Sequence, residues 1–86
     1  MINPKGHPVG WGLLLMELDE AFEHLGQLIR EMNSDPAYDE ARLRVDMGHI
    51  AAHINRAWTR RNHPDDLTGE QWEASRGYPS DLEPIA

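Results

Sequence analysis

Hydrophobic residues recur in the first part of the chain at alternating steps of three and four. The series consists of Trp11, Leu14, Leu18, Ala21, Leu25, Leu28 and Met32. Such steps mark the a and d positions of a heptad repeat, so they predict an amphipathic helix over residues 10–33 whose seam packs on another helix. Residues 1–9 contain two prolines and one glycine and are predicted to form an irregular arm.

A second helix is predicted after a stop signal. Pro36 disfavours helical geometry in the residue before it, and Asp39 is a suitable cap for a new helix. Within residues 39–62, steps of four and three continue through Leu43, Met47, Ile50, Ile54 and Ala57. Because the connection is short, the two helices should be antiparallel, with residue i opposite about residue 72 − i.

The remaining residues predict a short helix and a tail. Thr68 and Gln71 have the spacing of a capping box, which predicts a helix over residues 68–76. Two prolines, Pro79 and Pro84, favour an extended tail over residues 77–86. The predicted fold class is therefore all-α, an antiparallel two-helix hairpin with a short third helix and a tail, in one domain over residues 1–86.

Composition limits the stability and the partners of such a hairpin. A chain of 86 residues has a small core, and with no cysteine it cannot be supported by disulfides, so a metal ion or a second copy remains as a supplement. Its formal charge of −7 disfavours nucleic acids and anionic membrane surfaces. Without an apolar leader, a spanning segment or cysteine, the expected location is the cytoplasm.

The heptad register places apolar residues along one edge of the hairpin. The candidate interface residues on this edge are Leu15, Phe22, Ile29, Ala51 and Trp58. Two helices alone cannot cover this edge, so we predict a homodimer that forms a four-helix bundle. Alternatively, the tail covers the edge with its own apolar residues, which are Trp72, Tyr78, Leu82 and Ile85.

Ionisable residues follow the opposite edge. The candidate metal ligands are Glu17, Glu20, His24, Asp46, His49 and His53. Steps of three and four place Asp46, His49 and His53 on one face of the second helix. Helical bundles build divalent-metal sites from such carboxylates and imidazoles, so a divalent metal is a possible cofactor, although none is firmly predicted. No pattern identifies catalytic residues.

A simpler interpretation of the same edge is a set of solvent-exposed ion pairs between the helices. Glu17 would then pair with Arg60 or His53, and Asp46 with His24. Such pairs fix helix orientation and contribute about 0.2–1 kcal/mol each. A third interpretation is an assembly that responds to pH through its histidines, whose ordinary pKa is about 6.5.

Two resemblances add to these patterns. Residues 46–62 and 78–84 resemble segments of small, uncharacterised bacterial proteins from environmental genomes and mobile gene cassettes, a likeness that implies no activity. The stretch Glu17-Leu18-Asp19-Glu20 is similar to the E-x-x-E motif of the all-α, MazG-like nucleotide pyrophosphohydrolases, and Asp46 matches the aspartate of their second motif. That resemblance implies a dimeric helical bundle that binds Mg²⁺. The chain departs from it at Leu43, where the family has a glutamate.

The sequence therefore leads to two functional hypotheses. The first is a self-associating helical protein, a protein–protein interaction module rather than an enzyme, whose partner is a second copy. The alternative is a metal-binding helical bundle or a metal-dependent hydrolase similar to the nucleotide pyrophosphohydrolases. The histidines on the polar edge would suit Zn²⁺, Mn²⁺ or Fe²⁺ better than Mg²⁺.

Overall fold

The computed structural model describes residues 1–82 as two long antiparallel helices and a short third one. Helix α1 spans Pro8–Ser34, α2 spans Glu40–Thr59 and continues as a 3-10 turn over Arg60–Asn62, and α3 spans Gly69–Ala74. None of these residues belongs to a strand. The all-α prediction is confirmed at this level. Within this part of the chain, no helix combines the length and the apolar character needed to cross a bilayer.

Local signals set the helix ends. Helix α1 begins two residues earlier than predicted, at Pro8, because the fixed φ of proline suits the first helical turn. The Asp39 carboxylate accepts a hydrogen bond of 3.0 Å from the Arg42 backbone N–H and caps α2. Thr68 and Gln71 exchange hydrogen bonds of 3.1 and 2.9 Å at the start of α3. Both predicted caps are confirmed.

The cross-helix register agrees with the prediction. Glu17 contacts His53, His24 contacts His49, and Glu31 contacts Arg42. Each contact joins residue i to a residue within about two positions of 72 − i. The antiparallel pairing of the helices is therefore confirmed from one end of the hairpin to the other.

The face that α1 turns towards α2 differs from the predicted seam. Its buried residues are Gly10, Leu14, Glu17, Ala21 and Leu28. In contrast, three large members of the predicted seam, Leu18, Leu25 and Met32, are 44–52% exposed. Ala21 is small and allows α1 to approach α2, and Glu17 pairs with Arg56 of α2. Compared with the predicted seam, α1 is therefore rotated so that the side that carries Glu17 faces α2.

The hydrophobic core lies at the end of the hairpin where the chain begins. Ile2, Leu14 and Ala57 are buried together, and Trp11 packs against them. The Ile2 backbone N–H donates a 2.8 Å hydrogen bond to the Arg61 carbonyl, which holds the N-terminal arm in place. Helix α1 approaches the segment after the 3-10 turn closely here, since a Cβ on Gly10 would collide with the carbonyl oxygen of His63.

A second heptad series on α1 remains uncovered. We call it the apolar stripe, and it consists of Leu15, Leu18, Phe22, Leu25, Ile29 and Met32. These six side chains are 44–75% exposed, and Phe22 is the most exposed of them. Phe22 lies about 160° around α1 from His24, so the stripe and the ionisable residues occupy opposite edges.

The described part of the tail and helix α3 both contact α2. The Trp58 indole N–H donates a 2.9 Å hydrogen bond to Asp81, and the Trp72 ring lies 5.0 Å from the Arg56 guanidinium. Residues 77–82 form bends and a turn, and residues 83–86, which include the predicted contact Ile85, lie outside the described residues. Of the predicted interface residues on α2, Ala51 is buried within the hairpin and Trp58 is half-buried, with the Arg61 guanidinium 3.8 Å from its ring.

Candidate metal centre

Three imidazole rings meet between the two long helices. Helix α1 contributes His24, and α2 contributes His49 and His53, which lie one turn apart on the same face. The Nε2 atom of His49 is 3.2 Å from Nε2 of His24 and 3.3 Å from Nε2 of His53. Two ligands of a tetrahedral Zn²⁺ ion are separated by about 3.3 Å. The ligand atoms of all three residues lie within 4.8 Å of one another. These residues, the histidine triad, are therefore candidate ligands of a single metal ion.

A carboxylate sets the orientation of the buried member of the triad. The Nδ1 atom of His53 lies 2.8 Å from Glu17 Oε2 and 3.3 Å from Glu20 Oε2. Arg56 Nη2 also approaches Nδ1, at 3.1 Å, and would require Nδ1 to be an acceptor. Because the Glu17 contact is shorter and a second carboxylate supports it, Nδ1 carries the proton, which leaves the Nε2 lone pair free for a metal.

Glu17 is itself held by two arginines. Its side chain is buried, and the Arg56 Nε–H lies 3.2 Å from both of its carboxylate oxygens. Arg60 Nη2 lies 3.7 Å from Glu17 Oε1. The Nη1 atom of Arg60 donates a hydrogen bond of 2.9 Å to Asp66. The predicted partners of Glu17, His53 and Arg60, are both present, but the prediction that this edge is exposed to water is wrong. Opposite charges in register draw these groups into the helix interface.

The Glu17 carboxylate belongs to a second group of convergent ligand atoms, on the other side of the His53 ring. Glu17, Glu20 and His53 Nδ1 place their ligand atoms within 4.8 Å of one another. However, the guanidiniums of Arg56 and Arg60 lie against the same carboxylate and would repel a cation. The electrostatics therefore favour a metal ion on the Nε2 side of His53.

Asp46, the remaining candidate ligand, is engaged elsewhere. Its carboxylate accepts a 2.7 Å hydrogen bond from the Tyr38 hydroxyl and does not pair with His24 as the ion-pair interpretation predicted. Burial, together with this hydrogen bond to a carboxylate, raises the pKa of Tyr38 to about 12. The competition of Tyr38 for Asp46 was not predicted, because the tyrosine lies in the connection outside both heptad series.

His49 favours its uncharged form. Partial desolvation of its ring lowers the pKa of His49 although the side chain stays exposed on one side, and the neighbouring His24, His53 and Arg56 lower it further. A metal binds the neutral form of histidine, so the lowered pKa keeps His49 available as a ligand. Arg56 was not predicted to belong to this site, although its position three residues after His53 places it on the same face of α2.

A shallow groove of about 270 Å³ lies beside the triad and is bordered by both long helices. Its lining residues are His24, Gln27, Leu28, Glu31, Val45, Asp46 and His49. Because His24 is half-buried and His49 is exposed, the triad is accessible from this side. His53 closes the opposite, buried side.

Comparisons with protein-family models, curated proteins and solved structures give no match to this chain. The two sequence resemblances therefore stay predictions. In the described part of the chain, Glu17 and Glu20 gather around His53, while Asp46 turns to Tyr38. The histidine triad is thus the candidate site that the described residues support best.

Proposed function

We propose that this protein is a metal-binding helical hairpin whose histidine triad holds one divalent transition-metal ion. The observation that carries this proposal is that Nε2 of His49 lies 3.2 Å from Nε2 of His24 and 3.3 Å from Nε2 of His53, with ligand atoms of all three residues within 4.8 Å of one another. Glu17 supports it, because metal-bound histidines commonly donate their second N–H to a carboxylate.

The donor set favours Zn²⁺. Imidazoles suit Zn²⁺, Cu²⁺ and Ni²⁺, whereas Mg²⁺ and Ca²⁺ prefer oxygen ligands. Among these metals, a tetrahedral arrangement with ligands about 3.3 Å apart is typical of Zn²⁺. A metal at this position would also link α1 to α2 and supplement the small core.

Calorimetric titration of the metal-stripped protein with Zn²⁺ tests the proposal. We expect one ion per chain, and we expect His49→Ala to weaken binding at least tenfold because one of three ligands is lost. His63→Ala is the matched control, since His63 lies outside the triad, and it should bind as the unaltered chain does. Zn²⁺ at a hundredfold excess over Kd should stabilise the fold by about 2.7 kcal/mol. Equal affinity in His49→Ala and His63→Ala would contradict a triad site.

The apolar stripe supports a second function, self-association into a four-helix bundle. Its members follow one another at steps of three and four, the spacing of a coiled-coil seam, over about 26 Å of helix. A seam of this kind matches another helix with the same spacing. A second copy of α1 provides one, through a two-fold symmetric contact of the stripe with itself.

The surface area supports a second copy as the occupant of the stripe. The chain exposes 6247 Å², whereas a compact monomer of 9.8 kDa exposes about 5,200 Å². The excess is close to the roughly 800 Å² that each partner buries in a stable interface. The radius of gyration, 14.7 Å, also exceeds the value of about 12 Å expected for a compact domain of this length.

Sedimentation equilibrium distinguishes the dimer from a monomer. Phe22→Glu places a charge in the middle of the stripe and should weaken the dimer about a hundredfold. Val9→Glu is the matched control, because Val9 is similarly exposed but lies outside the stripe. A monomeric chain at micromolar concentration, or equal effects of the two substitutions, would contradict self-association through this stripe.

A further inference from the structure

The histidine triad supplies three ligands, and the carboxylates around it are engaged in other contacts. Asp46 accepts from Tyr38 at 2.7 Å, and Glu31 pairs with Arg42 at 3.2 Å. Glu17 and Glu20 lie against Nδ1 of His53, on the far side of the ring from the triad. Within residues 1–82, each of these acidic neighbours thus has another side chain as its partner.

The fourth position also has access to solvent. His53 is the buried member of the triad. His49 is exposed and lines the groove together with His24. A ligand approaching a metal ion on the triad would therefore arrive through this groove. With a volume of about 270 Å³, the groove is slightly smaller than the pockets that hold drug-sized molecules, so it suits a small ligand.

We propose that a metal ion on the triad keeps one coordination position open to the groove, where it exchanges water for a small oxygen-donor ligand such as a carboxylate or a hydroxamate. Structural zinc sites usually have four protein ligands, whereas sites that bind or activate an external ligand have three and a water molecule. The proposal rests on the metal-binding function proposed above. It makes the triad a site of ligand exchange rather than a structural clamp.

Substitution with Co²⁺ makes the open position visible, because the visible absorption of Co²⁺ depends on its ligands. The Co²⁺-loaded protein is titrated with acetohydroxamate, and we expect a saturable spectral change with one hydroxamate per metal. A loaded protein whose spectrum does not respond would have a closed coordination sphere and would overturn the open position while leaving metal binding intact. If the unaltered protein bound Co²⁺ no more tightly than His49→Ala does, the metal site would be overturned and this inference with it.

A variant of the groove tests the route to the metal without removing a ligand. Val45 is an exposed residue of the groove wall, so Val45→Trp should fold while it narrows the approach. We expect hydroxamate affinity to fall at least tenfold in Val45→Trp with Co²⁺ affinity unchanged. Val9→Trp, outside the groove, should leave both affinities unchanged. Unaltered hydroxamate binding in Val45→Trp would overturn the groove as the route.

Discussion

On one edge of the hairpin, charged residues are buried and paired with one another, whereas on the other edge large apolar side chains face solvent. Glu17, Arg56 and Arg60 are each at most 6% exposed, while Phe22 is 75% exposed. Burying charges costs more free energy than their attraction usually returns, and exposing an apolar stripe forgoes hydrophobic stabilisation. Both features disfavour an isolated hairpin. The difference supports the two proposals above, a bound ion on one edge and a partner on the other.

The largest expected effect comes from breaking the buried network on the polar edge. Glu17→Gln removes the charge that faces Arg56 and Arg60, so the buried guanidinium of Arg56 loses its carboxylate partner and Arg60 keeps only Asp66. We expect the free energy of unfolding, measured by urea denaturation of the metal-free chain, to fall by about 3–5 kcal/mol.

Glu31→Gln is the matched control for that measurement. It removes a half-exposed partner of Arg42 on the same helix and should cost less than about 1 kcal/mol. If the two substitutions had similar effects, the distinction between a buried network and an exposed ion pair would be lost.

The close approach of α1 to residues 63 and 64 at Gly10 gives the next largest effect. A Cβ at this position would overlap the His63 carbonyl oxygen and lie 2.8 Å from that of Pro64, both of which are backbone atoms. Gly10→Ala should therefore destabilise the fold by about 1–3 kcal/mol, as overpacking does. Gly12→Ala, two residues along the same helix in open space, should stabilise it by about 0.5–1 kcal/mol. In thermal unfolding, Tm should fall in Gly10→Ala and rise in Gly12→Ala. A change of Tm in the same direction in both variants would contradict the packing at Gly10.

A smaller effect concerns the pairing of Tyr38 with Asp46. The folded pKa of Tyr38, about 12, exceeds the ordinary tyrosine value of 10.0, so its neutral form is favoured by folding. The corresponding stability should be fully present below about pH 10 and be lost as pH rises towards 12. Ultraviolet absorbance titration measures this pKa.

Asp46→Asn should lower the pKa of Tyr38, because an amide does not repel the phenolate, and should leave Zn²⁺ affinity unchanged. A loss of Zn²⁺ affinity in this variant would instead make Asp46 a ligand of the metal and would contradict the open fourth position.

The sequence predicts the helices, their caps and their register because each depends on local signals. Pro36 and Asp39 separate the helices, and Thr68 with Gln71 begins the third, so these boundaries need no knowledge of packing. The face that α1 buries depends on packing and could not be predicted from spacing alone. The predicted seam and the apolar stripe overlap on α1. Because Arg56 of α2 and Arg60 of the 3-10 turn pair with Glu17, the side of α1 that carries Glu17 faces α2.

The candidate site was predictable in part for the same reason. Steps of four bring His49 and His53 together on α2, and the antiparallel register brings His24 to them. Which atoms face each other could not be predicted, because this depends on Glu17 turning inward and directing the His53 ring. The engagement of Asp46 by Tyr38 depends on the path of the connection between the helices.

The central claim is that three Nε2 atoms form one metal site, and nuclear magnetic resonance of the imidazole nitrogens during a Zn²⁺ titration tests it most directly. We expect the Nε2 signals of His24, His49 and His53 to shift together and to stop changing at one equivalent of Zn²⁺, while those of His7 and His63 stay constant. If the Nε2 signal of any one of these three histidines failed to shift, the claim would be contradicted. Signal shifts of equal size in all five histidines would contradict it as well.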